Sequence, residues 1–200
     1  MKRTAANYKS IQLFKNPFLE KFTHVHPLTP LVFWSPVVVY LLWQVFTIYP
    51  VAFLPAVGWA IAGILVWTLC EYFLHRYVFH FQGHGMMLNR FHFLIHGFHH
   101  LDASDPTRLV MTPIVSVVLG AGFYFFFGLF LEAGPLHVFF AFFLVGYLCY
   151  DYIHYYVHFF TPKGRIGKIL KQNHMKHHFA EKDVYWGVSS PLWDYIFRSL

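Results

Sequence analysis

Ten of the fifteen histidines in this 200-residue chain fall into two matching sets. The first is His75, His80, His96, His99 and His100, and the second is His154, His158, His174, His177 and His178. Adding 78 carries the last four of the first set onto the last four of the second, while His75 maps onto His154 with an offset of 79. Each set ends in three imidazoles within five residues, His96-Gly97-Phe98-His99-His100 and His174-Met175-Lys176-His177-His178. On a helix, positions i, i+3 and i+4 share a face, so these rings can converge. Convergent imidazoles suit iron, zinc, copper or nickel, and ten supply about five for each of two ions. The pattern therefore reads as a pseudo-repeat that builds a two-metal site. A lone histidine is more simply a satisfied core or interfacial residue, and His24, His26, His84, His92 and His137, outside the repeat, keep that reading. Ten ionisable groups at the edges of apolar segments are too costly to be incidental.

Two carboxylates accompany the imidazoles. Glu71 lies four residues before His75 and Asp151 three before His154, each on the helical face of its histidine. Metal-bound imidazoles commonly donate their second N–H to a carboxylate, which fixes the tautomer and raises ligand basicity, and Glu71 and Asp151 are assigned that role. Glu71 has two alternatives, pairing with a cation such as Arg76 or ligating metal itself. Asp102 and Asp105 read as loop and turn residues before Pro106. One spacing resists the scheme: His75 and His80, five apart, sit about 140° from each other on a regular α-helix. Either the helix unwinds after His75 or the two rings serve different ions.

The elements that must position these side chains are membrane helices. With 57% hydrophobic, 22% aromatic and only 12% charged residues, the chain is not a soluble globular protein. The net charge of +6 comes from scattered basic residues with no nucleic-acid-binding motif, so no nucleic-acid partner is expected. Cys70 and Cys149 lie in apolar runs and read as reduced packing residues. The expected fold is all-α, an integral membrane protein of one domain over 1–200. Residues 1–27 form a basic, aromatic interfacial arm. Residues 31–160 hold four transmembrane helices, near 31–48, 57–79, 109–131 and 136–156, with a histidine-rich loop over 81–108. Residues 161–200 form a cap. Five Lys and Arg precede the first span, three lie in 76–108 and seven follow 160, while the two opposite turns have none. The positive-inside rule makes the basic side, with both histidine sets, cytoplasmic. Treating the third and fourth runs as re-entrant hairpins keeps that sidedness.

At these residues the sequence resembles the membrane fatty acid hydroxylase superfamily of non-haem di-metal enzymes, and within it the fatty acid 2-hydroxylases acting on sphingolipid acyl chains. The matching segments are His75-Arg76-Tyr77-Val78-Phe79-His80, His92 to His100, Asp151 to His158 and Asn173 to His178, with the tail Trp186 to Phe197. The resemblance covers roughly residues 60 to 200. It implies ligands at the ten histidines and O2-dependent hydroxylation at carbon 2 of a long-chain acyl group, in a sphingolipid or ceramide. It also implies residence in the endoplasmic reticulum of a eukaryote or the inner membrane of a bacterium. Phe159 stands where many members carry a further histidine, so no ligand is expected there. No cytochrome-b-type domain is fused to the chain, so a separate electron-donor protein is expected. Because an unactivated C–H bond yields only to a strong oxidant, iron is the expected metal; zinc fits the same nitrogens, and a purified protein could carry it by mis-metallation, without that redox chemistry. The runs around Phe123–Phe127 and Phe139–Phe143 are candidates for lining an acyl tunnel, against the simpler reading of lipid-facing packing. Other readings remain open: a desaturase, or a sterol or carotenoid hydroxylase, on the same scaffold; a membrane metal transporter; and a zinc-holding structural scaffold. Oligomeric state is not legible.

Overall fold

In a bilayer, backbone groups have no water to bond, so an uninterrupted apolar run satisfies them by becoming a helix. The computed structural model describes residues 10–81, 85–180 and 184–200, leaving Lys2, Arg3, Tyr8, Lys9 and His84 outside the described residues. Every regular element among the described residues is helical. Helix α1 is Pro17–Lys21, α2 Thr29–Thr47 and α3 Phe53–Phe73; α4 is Met86–His92, α5 Phe98–Leu101 and α6 Pro113–Gly128; α7 is Ala133–Phe159, α8 Arg165–Phe179 and α9 Leu192–Phe197. Three are long and apolar enough to cross a membrane: α2, α3 with its continuation to Phe79, and α7. The third expected run is helical only over the 16 residues of α6, about 24 Å against a hydrocarbon thickness of about 30 Å. Pro113 opens it, where a missing N–H is harmless. Leu109 and Val110, expected inside that run, are instead buried ahead of it, in the approach to the histidines.

Helix α7 is the axis of the bundle. Some 72% of its apolar window is buried, against 11% for α3 and 33% for α2, so the outer helices turn most of their surface outward. Small residues let the helices close up. A Cβ at Gly63 of α3 would lie 2.2 Å from the Phe139 carbonyl oxygen of α7, and one at Gly146 of α7 would lie 2.8 Å from Trp67 of α3. Trp67 fills that notch and meets Phe143 and Tyr147 edge-on, at 5.2 and 5.3 Å between ring centroids. Phe139, Phe140 and Phe143 are core, while Phe125 and Phe126 face outward. Cys70 packs against the core, but Cys149 is exposed, contrary to the packing role expected of it.

Two departures from regular α-helix matter for the site. After Phe73, α3 widens into a π-helical turn over Leu74–Phe79, and the His80 amide bonds the His75 carbonyl at 3.2 Å, an i to i+5 link. A second π-helical turn, Phe93–Gly97, joins α4 to α5. The N-terminal segment from Ser10 forms a strap over this end of the bundle. Phe18, Leu19 and Phe22 of the strap are exposed. On the inner side Arg108 reaches Glu20, the Ile11 carbonyl at 2.6 Å and Thr23 Oγ1 at 3.0 Å. Asp105 accepts from Thr107 within its turn and from Ser10 Oγ at 2.5 Å.

Candidate metal centre

The ten repeat histidines come together as two groups of five. His75, His80, His96, His100 and His177 form the first, and His99, His154, His158, His174 and His178 the second, the ligand atoms of each group lying within 4.8 Å of one another. Each half of the repeat therefore gives four rings to one group and lends one to the other. The lent rings, His99 and His177, are equivalents under the 78-residue offset. Within each triplet the i and i+4 rings stay together, and the i+3 ring, about 60° away on the helix surface, crosses over.

The π-helical turn answers the His75–His80 conflict. With more residues per turn, a five-residue step returns to nearly the same face, and both rings enter the first group. The helix departs from regular α after His75, as one alternative required, and both rings stand in the same group. On regular α7, His154 and His158 are four apart and need no such device. A π-turn is one residue longer than the α-turn it replaces, which accounts for the offset of 79 where the others are 78.

Within the first group, Nε2 of His75 lies 3.1 Å from Nε2 of His96, which lies 3.1 Å from that of His100; His177 Nε2 lies 3.1 Å from His80 and 3.2 Å from His100. In the second, His99 to His154, His99 to His178 and His174 to His178 are each 3.0 Å, and His158 to His174 is 2.7 Å. Two nitrogens at about 2.1 Å from one ion, at right angles, stand about 3.0 Å apart. The tautomers agree with that geometry. His75 Nδ1 lies 2.5 Å from the Trp186 carbonyl oxygen and His177 Nδ1 lies 2.9 Å from that of Val184. A carbonyl only accepts, so both Nδ1 atoms carry the proton and both Nε2 lone pairs face the group. Burial, then the neighbouring imidazoles, push His80 and His100 down to about 3, and His96, His99, His174 and His178 down as well, so these rings are neutral near pH 7 and free to ligate. The donor set therefore fits two ions, one per group.

A fatty acid hydroxylase family model matches residues 60–199. The chain belongs to the fatty acid hydroxylase family. It is 34% identical over 212 residues to the fatty acid 2-hydroxylase of Rattus norvegicus, covering 96% of this chain and 57% of that one. To the dihydroceramide fatty acyl 2-hydroxylase FAH2 of Arabidopsis thaliana it is 35% identical, covering 94% of this chain and 79% of that one. It also resembles the solved structure of full-length scs7p, in which only the hydroxylase domain is visible. That match has a TM-score of 0.86 at 36% identity, over 94% of this chain and 70% of that one. The chain thus spans a little over half the length of its rat relative.

In this member of the family the carboxylates stand elsewhere than their spacing from the histidines implies. Glu71 does not bond His75. It accepts the amides of Val188 at 2.7 Å and Ser189 at 2.8 Å, and the Ser189 hydroxyl. The proton of His75 goes to a backbone carbonyl, an acceptor that leaves no mark in a sequence. Asp151 Oδ1 accepts a long 3.5 Å bond from the Met111 amide, and His154 Nδ1 has no hydrogen-bond partner, so Asp151 does not bond that ring. Asp194, not singled out from the sequence, accepts the amides of Trp186 and Gly187, each at 2.9 Å, and the Ser199 hydroxyl at 2.8 Å. Its place in the Trp186–Phe197 tail was the available signal. Of the remaining histidines, His24 meets Thr107 Oγ1 at 2.6 Å and His137 meets the Tyr124 hydroxyl at 3.0 Å. Neither these nor His26 and His92 join the groups.

Beside both groups lies a largely apolar cavity of about 430 Å³, reached by His96 of the first and by His99 and His154 of the second. Its walls include Phe14, Leu19 and Phe22 of the strap, Phe79, Phe91 and Phe98, and the segment Arg108–Val115. The Phe123–Phe127 and Phe139–Phe143 runs do not line this cavity; Phe139, Phe140 and Phe143 belong to the core, with Phe123 and Phe127 packed against it.

Proposed function

We propose that the protein is a di-iron lipid hydroxylase that places a hydroxyl, with oxygen from O2, on carbon 2 of a long-chain acyl group, amide-linked in a sphingolipid or ceramide. The observation that carries this reading is the 430 Å³ apolar cavity ending on imidazoles of both groups. Its volume is within the range of small-ligand sites. Bound iron supplies the redox chemistry that O2 activation needs. The chain's own residues do the rest. The apolar walls hold the acyl chain and exclude water, while His75 and His177 keep their Nε2 lone pairs turned inward by donating from Nδ1. Arg108, the cation on the wall, is neutralised by Glu20, which suits an uncharged amide better than a free carboxylate.

The relatives named for hydroxylating position 2 of acyl chains support the choice of carbon. Depth supports it too. The histidines sit at the ends of α3 and α7, at the membrane boundary on the reading of four spans, and a lipid's head-proximal carbons reach that boundary at least cost. On the same reading α6 is the short third span, α8, α9 and the segments around them form a cytoplasmic cap, and a separate donor protein delivers electrons there. Expression under heavy oxygen gas, followed by fragmentation of the cell's lipids, should give labelled 2-hydroxy acyl chains. A mid-chain hydroxyl or double bond would refute the position, and label arriving from water would refute oxygen activation.

A further inference from the structure

The two groups differ in what holds their rings from behind. In the first, Nδ1 of His75 and Nδ1 of His177 both reach backbone carbonyls, those of Trp186 and Val184. In the second, Nδ1 of His154, of His174 and of His178 is buried without any hydrogen-bond partner. The carbonyls belong to one turn, and that turn is clamped along its length. Tyr185 N donates to the Ser199 carbonyl at 2.8 Å. The next two amides go to Asp194 and the two after those to Glu71. Five consecutive amides are thus fixed, four of them by two buried carboxylates. Tyr185 itself has φ of 57°, a left-handed conformation that a tyrosine adopts only when its surroundings impose it. That conformation lies between the two carbonyls that face His177 and His75.

We propose that this turn is a positioning device for the first group alone, with Asp194 and Glu71 as its positioning residues, and that the two metal sites are therefore unequal: the first holds its ion more tightly. The inference rests on the two-ion reading above. An imidazole that donates from Nδ1 is a stronger and better-oriented ligand at Nε2, and losing such a partner typically costs about 10- to 100-fold in metal affinity. His75 and His177 have that partner, and three rings of the second group do not. Asp194 takes one amide on each oxygen, so a carboxamide there would turn its NH2 toward an N–H and loosen the turn at little change in shape, whereas Glu71 takes both of its amides on Oε1 and only loss of the acceptor, as in Glu71→Leu, loosens the turn from that side.

The test uses the full chain in detergent, loaded with zinc and diluted into excess EDTA, with the zinc retained per chain followed over time by mass spectrometry. Zinc should leave in two steps of one ion each, at rates differing by about tenfold or more. His80→Ala should lack the slow step and His158→Ala the fast one. Asp194→Asn should speed the slow step by about 10- to 100-fold and leave the fast one unmoved. Glu71→Leu reports on the same turn should Asp194→Asn not fold, and the wild-type and histidine variants decide the order of release without either. Two ions leaving in one step, a slow step that belongs to the second group, or both steps speeded alike by Asp194→Asn and Glu71→Leu would each overturn the inference alone. Fewer than two zinc ions at the start would overturn the two-ion reading, and this inference with it.

Discussion

An imidazole has two nitrogens, and only one of them can face an ion, so each ring of the site is defined by what its other nitrogen does. Spacing made the ten rings legible in the sequence. It did not reveal that His99 and His177 change sides, because spacing gives the face of a helix and not the neighbour it will meet. His177→Ala should therefore cost the ion held with His75 and His80, on α3 and its continuation, and His99→Ala the ion held with His154 and His158 on α7. Metal analysis in the respective backgrounds of His80→Ala and His158→Ala checks this, since a second lesion in the same group should remove no further ion. Acid should act on the rings as well. His80 and His100 sit at about 3 in the folded protein and at about 6.5 when unfolded. Between those values the unfolded chain takes up protons that the folded one refuses, so stability falls as pH drops below about 6.5 and the loss levels off below about 3. The melting midpoint of metal-free protein should fall from about pH 7 to about pH 4, and His80→Gln with His100→Gln should flatten the profile. An unchanged midpoint in the wild type would contradict the burial of neutral rings.

At the scale of elements, the π-helical turn is the feature that lets α3 serve the site. The sequence carried its trace, one extra residue between His75 and His80 relative to His154 and His158, but a periodicity argument assumes a regular helix and reads the excess as a conflict. Deleting Val78 should restore a regular α-turn with His75 and His80 four apart, as on α7, and both ions should be retained. Deleting Val157 should instead swing His158 away and release the ion of the second group. Zinc content of the two deletion variants distinguishes them. The long apolar runs were legible for the reason that membranes impose, and the third was over-read because Leu109 and Val110 are as apolar as any span while serving to pack the approach to the site. Close crossing of α3 and α7 is a separate matter of volume. Gly63→Val should destabilise by about 1–3 kcal/mol or more, since its side chain would meet the Phe139 backbone rather than a flexible neighbour. Thermal unfolding in detergent measures it.

At the scale of the whole molecule, every basic residue falls on the histidine side of a four-span arrangement, so reporter tags at residues 1 and 200 should read out in the same compartment. Tags on opposite sides would require an odd number of crossings and would remove α6 as a span. The half-and-half repeat was legible from the offset of 78; its entanglement was not, because the exchange of one ring per half depends on how α5 and α8 meet. That exchange bears on the order in which the protein is made. A growing chain exposes His75 to His100 first, yet the first group still lacks His177, and the second lacks His174 and His178, until α8 has been synthesised. Neither half can finish a site by itself while it waits. Metal loading would then follow the docking of the last helices, and a chain halted before α8 would leave the ribosome already inserted and still without either complete group.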